Sequence, residues 1–389
     1  MNPFLKKLQQ ISNKNERRVI GLMSGTSMDG LDIALCRFSG SGRETSFELE
    51  QFTSMPYEET DKQQLMALVR SPNTESETIC VWHTRVAHIH GDMVNRALED
   101  WGLVPDDIDL LASHGQTFHH APRHKHQLEG MPDATMQIGD GDHLAHRTGM
   151  VVISDFRQRD VARGNEGAPL AAYGDYLLFN DDRSNRILLN IGGIGNITWL
   201  PAGTNSFPPY GTDTGPGNTL IDAATAEYFG GMYYDKDGGL AARGEVHEGL
   251  LACLKEHPFF RESSPKTTGF EVFHLTWVHD CIVKSGFDLQ PEDLLATLTR
   301  FTSDTICDEI WKVIPDGADT EVYVSGGGAY NDTMMKQIES NLSPVPVQTT
   351  EKLGIGVDAK EAVLFAVFAN EMVCGEDTRL HLGKISFPD

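Results

Sequence analysis

Three stretches of the chain share one pattern: an apolar, β-rich run, a break rich in glycine and small polar residues, then a second structured run. In the first, Val19–Ile20–Gly21–Leu22–Met23 leads into Ser24-Gly25-Thr26-Ser27-Met28-Asp29-Gly30, and Leu31-Asp32-Ile33-Ala34-Leu35 follows with strand-like alternation. In the second, Arg186-Ile187-Leu188-Leu189 leads into Asn190-Ile191-Gly192-Gly193-Ile194-Gly195-Asn196 and then Ile197-Thr198-Trp199-Leu200. Both predict β-hairpins with turns built from Gly, Ser, Thr, Asn and Asp. Their recurrence suggests an internally duplicated chain. In the third, Glu321-Val322-Tyr323-Val324 runs into Ser325-Gly326-Gly327-Gly328, and Asn331-Asp332 precedes a helical pattern over Thr333–Leu342. That is a strand, a glycine turn and a capped helix.

Between these segments, Thr60–Arg70, Ile79–Trp101 and Leu295–Val313 repeat apolar residues at three- and four-residue spacing and predict helices. Asp109–Ala112 and Val151–Ile153 predict short buried strands. Strands alternating with helices indicate α/β layers built on mixed sheets. Two domains are expected, residues 17–160 (completed by 375–389) and 161–374, with the crossover carried by the Arg-, Asp- and Gly-rich stretch near 155–185. Residues 1–16 are expected to form a frayed leader outside the fold.

Composition narrows the function. The 389 residues hold 32 basic and 56 acidic side chains, a formal charge of −24. That balance disfavours nucleic acid or an anionic membrane as the main partner. The six cysteines are scattered without a CxxC pair, so reduced thiols are expected rather than a disulfide framework. The N-terminal stretch lacks the apolar core of a signal peptide, and the most apolar run, Val363–Ala369, is too short to span a bilayer. A cytoplasmic protein is expected. Ten of the 15 histidines fall between His83 and His146. With no HExxH, and no cysteine within Ser113–His146, they suggest an exposed basic loop over Phe118–Gly130 rather than a zinc site.

Loops of Gly, Ser and Thr at strand ends present several backbone N–H groups to one anion. One such loop is an ordinary turn; three fit a nucleotide with a phosphate tail. GxxxxGK[ST], the protein-kinase motif set and GxGxxG after the first strand are all missing. The blocks that are present resemble those of the anhydro-N-acetylmuramic acid kinases, in the sugar kinase, Hsp70 and actin superfamily. They are Gly21-Leu-Met-Ser-Gly-Thr-Ser-Met-Asp-Gly-Leu-Asp32, Ser113-His-Gly-Gln-Thr117, Asp155-Phe-Arg-Gln-Arg-Asp-Val161 with Gly167-Ala-Pro-Leu170, Leu189-Asn-Ile-Gly-Gly193, Asp213-Thr-Gly-Pro-Gly-Asn218 and Ser325-Gly-Gly-Gly-Ala-Tyr-Asn331. They run in the family's order over nearly the whole chain.

The resemblance implies two duplicated domains of that superfamily's type, each a mixed sheet flanked by helices, with an active-site cleft between them. It implies ATP with Mg²⁺, a homodimer, and the opening and O6-phosphorylation of 1,6-anhydro-N-acetylmuramic acid during cell-wall recycling. Gly25, Thr26, Ser27, Met28, Asp29, Gly30, Leu31 and Asp32 correspond to the first phosphate loop. Gly192, Gly193, Gly195 and Asn196 correspond to the second, and Gly326, Gly327 and Gly328 to the adenosine approach. Asp29 and Asp32 could reach a hydrated Mg²⁺ or stabilise their turn. The residues alone give Asp213 two roles, base or helix cap; the resemblance selects the base that activates water. His114 and Gln116 are expected beside the sugar, as is Glu361, the last with a solvated or capping role as the alternative. The cluster Asp155, Arg157, Arg159 and Asp160 fits interdomain salt bridges, or one arginine on the lactyl carboxylate, for which Arg159 is favoured. A kinase for another anhydrosugar such as levoglucosan, an ordinary hydroxyl kinase and a non-catalytic ATP-gated module remain alternatives.

Overall fold

The computed structural model describes residues 2–388 except 26–27, 72, 168–169, 204–208, 270–271, 287–288 and 316. The chain opens with α1 (Pro3–Ser12), β1 (Glu16–Ser24), β2 (Gly30–Ser39), β3 (Ser46–Pro56), α2 (Glu59–Arg70), α3 (Ser76–Trp101) and β4 (Leu110–Ala121). It continues through α4 (Arg123–His126), β5 (Ala134–Ile138), α5 (Gly141–Thr148), β6 (Val152–Ser154), α6 (Phe156–Ala162) and α7 (Ala171–Phe179). Then come β7 (Asn185–Ile191), β8 (Ile194–Leu200), β9 (Tyr210–Pro216), α8 (Thr219–Tyr228), α9 (Glu248–Lys255), α10 (Leu275–Ser285) and α11 (Pro291–Val313). The last elements are β10 (Thr320–Ser325), α12 (Asp332–Leu342), β11 (Val347–Thr349), α13 (Lys360–Cys374) and β12 (Lys384–Ser386).

The chain divides into two compact units, Met1–Leu178 with Ala359–Asp389, and Phe179–Asp358. In the first, the strand order is β12-β6-β4-β1-β2-β3, with β5 added against β4. The meander β1–β2–β3 is antiparallel, whereas β4 runs parallel to both β1 and β6. The second sheet has the order β11-β10-β7-β8-β9. Its meander β7–β8–β9 is again antiparallel and its β10 again parallel. Each unit therefore starts with a glycine-turned hairpin and adds parallel strands to the hairpin's first member. The predicted hairpins and the α/β class stand.

Each sheet buries its apolar face under a long helix. Ile20, Ile33 and Leu35 pack with Val94 and Leu98 of α3 in the first unit, and Ile187, Leu189 and Ile197 with Leu298 and Phe301 of α11 in the second. The helix α3 stops at Gly102, whose φ of 69° closes the last turn with N–H donation to Glu99 and Leu98 carbonyls. Asn331 caps α12 by accepting from Met334 N–H at 2.9 Å.

Three expectations need correction. Of the expected frayed leader 1–16, the described residues 2–16 are ordered: Asn2 caps α1, Ile11 is buried, and the Phe4 ring stacks on Phe387 at 4.8 Å. The divisions expected at 160/161 and 374/375 fall at the ends of helices belonging to the first unit. The whole length of α13 packs there, against β1, β2 and β4, with Ala362–Ala369 buried. Gly21 leaves β1 bare where the Ala362 carbonyl rests on it, and Gly174 of α7 faces Leu364. Phe118–Gly130 is only partly loop, since β4 continues through His119 and His120, paired with Met136 and Thr135 of β5. Among the described residues, no helix is long and apolar enough to cross a membrane.

Candidate active site

In the first unit the β1–β2 turn stands on a buried polar chain. Thr26 and Ser27 lie outside the described residues. Met28 is buried in the left-handed region at φ 55°, its N–H donating to Gly25 O at 3.2 Å. Leu31 points into the core, so only its backbone is available to a ligand. Below the turn, Ser24 Oγ lies 2.6 Å from Gln116 Oε1 and 2.7 Å from Tyr57 OH, which lies 2.7 Å from His90 Nε2. Proton directions follow from the ends. Gln116 Nε2 faces the carbonyls of Gly25 and Thr117, so its oxygen faces Ser24 and must accept. Ser24 therefore donates to Gln116, Tyr57 donates to Ser24, and His90 Nε2–H donates to Tyr57. Burial holds the His90 pKa down at about 4, which keeps the ring neutral. The chain thus fixes Gln116, which in turn holds the Gly25 carbonyl at 3.3 Å.

On β4, His114 Nδ1 lies 2.9 Å from Gly115 O and must carry the hydrogen. Its Nε2 then accepts from Arg157 Nε at 2.9 Å, and Phe365 of α13 packs on the ring at 4.7 Å. Burial, helped by the Arg157 charge, pushes the imidazole pKa well below its ordinary value. His114 is a neutral prop for a guanidinium. Arg157 Nη1 donates to Gly167 O at 3.0 Å. Burial lowers its pKa to about 10, opposed by the charges of Glu361 and Asp160, so it stays cationic at neutral pH. Two neutral acceptors orient this arginine, and its fork keeps donors for an anion. Glu361, in the first turn of α13, is open to solvent but crowded by protein. That crowding, with Asp32 and Asp175, raises its carboxyl pKa against the pull of Lys360 and Arg157.

In the second unit three glycine-bearing segments converge at the ends of β7 and β10. Gly217 N–H and Asn218 N–H donate to the carbonyls of Gly193 and Gly192 at 2.8 Å each, and Thr219 Oγ donates to Gly193 O at 2.7 Å. A Cβ on Gly326, where φ is 81°, would lie 2.7 Å from Asn190 Oδ1 and 2.8 Å from Ile191 O. One on Gly328 would collide with the Ile191 side chain. Only glycine allows these backbones to meet, and the result is a tight cradle at the start of α8, with Gly192, Gly193 and Gly326 half-buried and Gly327 exposed, suited to phosphate and nucleoside. Asp213 is on β9, paired opposite Asn196, and its Oδ2 accepts from Thr268 N–H at 2.8 Å.

A family model described as anhydro-N-acetylmuramic acid kinase matches residues 17–381. Proteins named anhydro-N-acetylmuramic acid kinase from Pseudoalteromonas atlantica and Caldanaerobacter subterraneus are 44% and 40% identical to this chain. The matches cover 100% of both sequences for the first, and 95% of this chain and 94% of the relative for the second. A Bacillus thuringiensis protein of the same name is 34% identical over 95% of this chain and 99% of its own. The chain belongs to the anhydro-N-acetylmuramic acid kinase family.

Within the family's blocks, the structure sorts the expected site residues. Gly192 and Gly193 accept from the Gly217–Thr219 segment, and Gly326 and Gly328 close on Asn190 and Ile191 of β7. Gly195 and Asn196 instead sit in the β8 ladder, Gly195 against the Thr214 hydroxyl and Asn196 beside Asp213. Asp213 is a strand residue rather than part of a turn before α8, and Asn218 occupies the N-cap, so the capping role falls away. Asp29 is exposed and 2.6 Å from Lys62 Nζ, and Asp32 is half-buried on β2. Both are oxygen donors at the turn, a set compatible with a metal held mainly through water. Arg159 faces away from Arg157: it is exposed and donates to His381 O at 3.1 Å. Asp155 pairs with Lys384, and Asp160 accepts from Asn165 and from Gly167 N–H, shaping the loop that receives Arg157. Sequence reasoning weighed Arg157 but favoured Arg159, and it did not single out Ser24, Thr268 or the Gly217–Thr219 segment. Ser24, Gly217 and Asn218 lay inside motif blocks already recognised; Thr268 carried no signal.

Proposed function

We propose that this chain is an ATP-dependent anhydro-N-acetylmuramic acid kinase acting in cell-wall recycling. The observation that carries the reading is the combination, within one unit of a family member, of a glycine cradle and a strand-borne carboxylate fixed by a backbone N–H. Asp213 takes a proton from water as that water attacks the anomeric carbon. The C1–O6 bond breaks, its electron pair stays on O6, and O6 attacks the γ-phosphorus of ATP. ADP leaves with the former bridging electrons, giving N-acetylmuramic acid 6-phosphate. The leaving O6 needs no general acid because phosphorus accepts it.

ATP fits the cradle of Gly192, Gly193 and Gly326–Gly328 in the second unit. Asp29 and Asp32 would hold Mg²⁺ through water, and the ion would supply charge neutralisation to the phosphates. Arg157 takes the lactyl carboxylate, a role expected for Arg159 from the sequence; the oriented, His114-propped fork supports Arg157 over the tethered Arg159. Glu361 serves a sugar hydroxyl, and Gln116, buried with both ends of its amide bonded, acts only through the Gly25 carbonyl it holds. A cytoplasmic homodimer completes the reading, with sedimentation equilibrium as the test of the dimer.

The test is turnover in ¹⁸O-water with mass analysis of the sugar phosphate, wild type beside Asp213→Asn. One solvent oxygen in the 6-phosphate, with turnover lost in the variant, is expected. Unlabelled sugar phosphate means ordinary hydroxyl transfer and a different task for Asp213.

A further inference from the structure

The carboxylate of Asp213 is held by the amide of Thr268, in a stretch of chain without regular structure between the short helical turn Pro258–Arg261 and α10. Such a stretch has no ladder or helix to keep its amides in place, so its precision must come from anchors. The anchor is two residues away. Lys266 N–H donates to Thr212 Oγ at 3.0 Å, and its carbonyl accepts Asp213 N–H at 3.0 Å, so the segment runs beside β9 as an improvised extra strand. Its side chain turns inward and is 3% exposed, an unusual fate for a lysine. Lys266 Nζ donates to Phe259 O at 3.1 Å and lies 4.3 Å from the centroid of the Phe259 ring. Glu309 Oε2 of α11 is 3.6 Å away, and Glu309 is itself bonded by Lys312 Nζ at 2.7 Å and by Ser264 Oγ. Glu262 adds a further acidic field and Lys312 an opposing basic one.

A buried ion pair of this kind contributes little net stability, because desolvation of both charges offsets their attraction. What it does supply is a fixed geometry. Sliding the segment by a fraction of an ångström would break the ammonium's contacts with Phe259 and Glu309 together with both backbone bonds to Thr212 and Asp213. We propose that Lys266, clamped by Glu309 and Phe259, is a positioning residue that aligns the Thr268 amide on the carboxylate of Asp213. The inference rests on the reading of Asp213 as the base. It assigns to a buried lysine on another segment the task of keeping that base ionised and correctly aimed.

The test compares Lys266→Met, Glu309→Gln and Asp213→Asn with wild type, using protein of verified fold. Lys266→Met keeps the apolar stem and leaves Glu309 paired with Lys312 and Ser264, so no charge is stranded. Expected for it are a kcat at least tenfold lower, a KM for ATP within twofold of wild type, and an acid limb of kcat/KM for the anhydrosugar displaced to higher pH. The displacement follows because a carboxylate that loses an N–H donor ionises less readily. A merely structural lysine would lower the melting temperature and leave the pH profile of the folded fraction where it was; that result overturns the proposal. If Lys266→Met does not fold, Glu309→Gln, nearly isosteric, is read on the same pH axis: a shift in the same direction supports the clamp and an unmoved limb overturns it. Asp213→Asn separates the two levels. If it is inactive while the Lys266 variant keeps the wild-type profile, the clamp falls and the base stands; if it still turns over, the base falls and takes the clamp with it.

Discussion

Replacing Tyr57 by phenylalanine removes one oxygen from the middle of the directed chain His90–Tyr57–Ser24–Gln116. All four residues are buried, His90 at 1% and Gln116 at 0% exposure, so water does not readily replace the lost group. The ring itself remains, and the cavity is smaller than a methyl group. The cost is therefore almost wholly polar. His90 loses the acceptor for its Nε2–H, and tautomerisation offers no escape, since Nδ1 is also buried without a partner among the described residues. A buried donor left unmade costs about 1–3 kcal/mol, and the loss of the Tyr57–Ser24 bond adds about 1 kcal/mol. The sum is about 2–4 kcal/mol. Because the chain has two compact units, one global unfolding free energy is a poor readout. Hydrogen exchange followed by mass spectrometry on peptides of β1 and α3 reports the first unit directly. Where exchange follows opening equilibria, the slowest amides should accelerate roughly 30-fold to several hundredfold, at a tenfold change per 1.4 kcal/mol. Tyr233→Phe, at a side chain 81% exposed, serves as the control and should change nothing. The double variant Tyr57→Phe/His90→Leu should cost clearly less than the sum of its parts, since the orphaned donor is gone. Acceleration below threefold in Tyr57→Phe, or strict additivity in the double variant, would refute the directed chain.

Three further outcomes follow from the same geometry. His90 has a folded pKa of about 4 against an ordinary 6.5, so between those values the unfolded chain binds a proton that the folded chain refuses. Stability of the first unit therefore falls as pH falls, by about 2 kcal/mol from pH 7.5 to 5 for this group; hydrogen exchange at the two pH values should show it, and His90→Gln should flatten it. Gly326→Ala forces a Cβ into Asn190 and Ile191 and should raise the KM for ATP at least tenfold, whereas Gly354→Ala, at a similar positive φ in open space, should leave that KM unchanged. Arg157→Gln should raise the KM for the anhydrosugar about 10- to 150-fold, the worth of a hydrogen bond to a charged group at about 1.5–3 kcal/mol. In Arg159→Gln both KM values should stay within twofold; the reverse pattern in steady-state kinetics would return the carboxylate to Arg159.

The sequence by itself determined what depends on near neighbours. Alternation and glycine placement define the two hairpins, the 3.6-residue period defines α2, α3 and α11, and Asn331 before Asp332 marks the start of α12. The order of short motif blocks is also a property of the string, and it was enough to place the chain in its family. What tertiary structure decided is where side chains face and what lies across from them. Arg157 and Arg159 are two residues apart on α6, hence on opposite sides of a helix, and nothing local says which side meets His114. Strand β4 runs on through His119 and His120 because β5 stands ready to pair with it, not because those histidines favour a strand. The leader helix α1 is ordered by Phe387, a residue at the far end of the chain, and α13 joins the first unit because Gly21 leaves room for its backbone. Lys266 reads as a surface lysine until Glu309 and Phe259 close over it. Periodicity and turn chemistry act within a few residues, whereas burial, charge pairing and the aim of a carboxylate depend on partners that only the folded chain brings within reach.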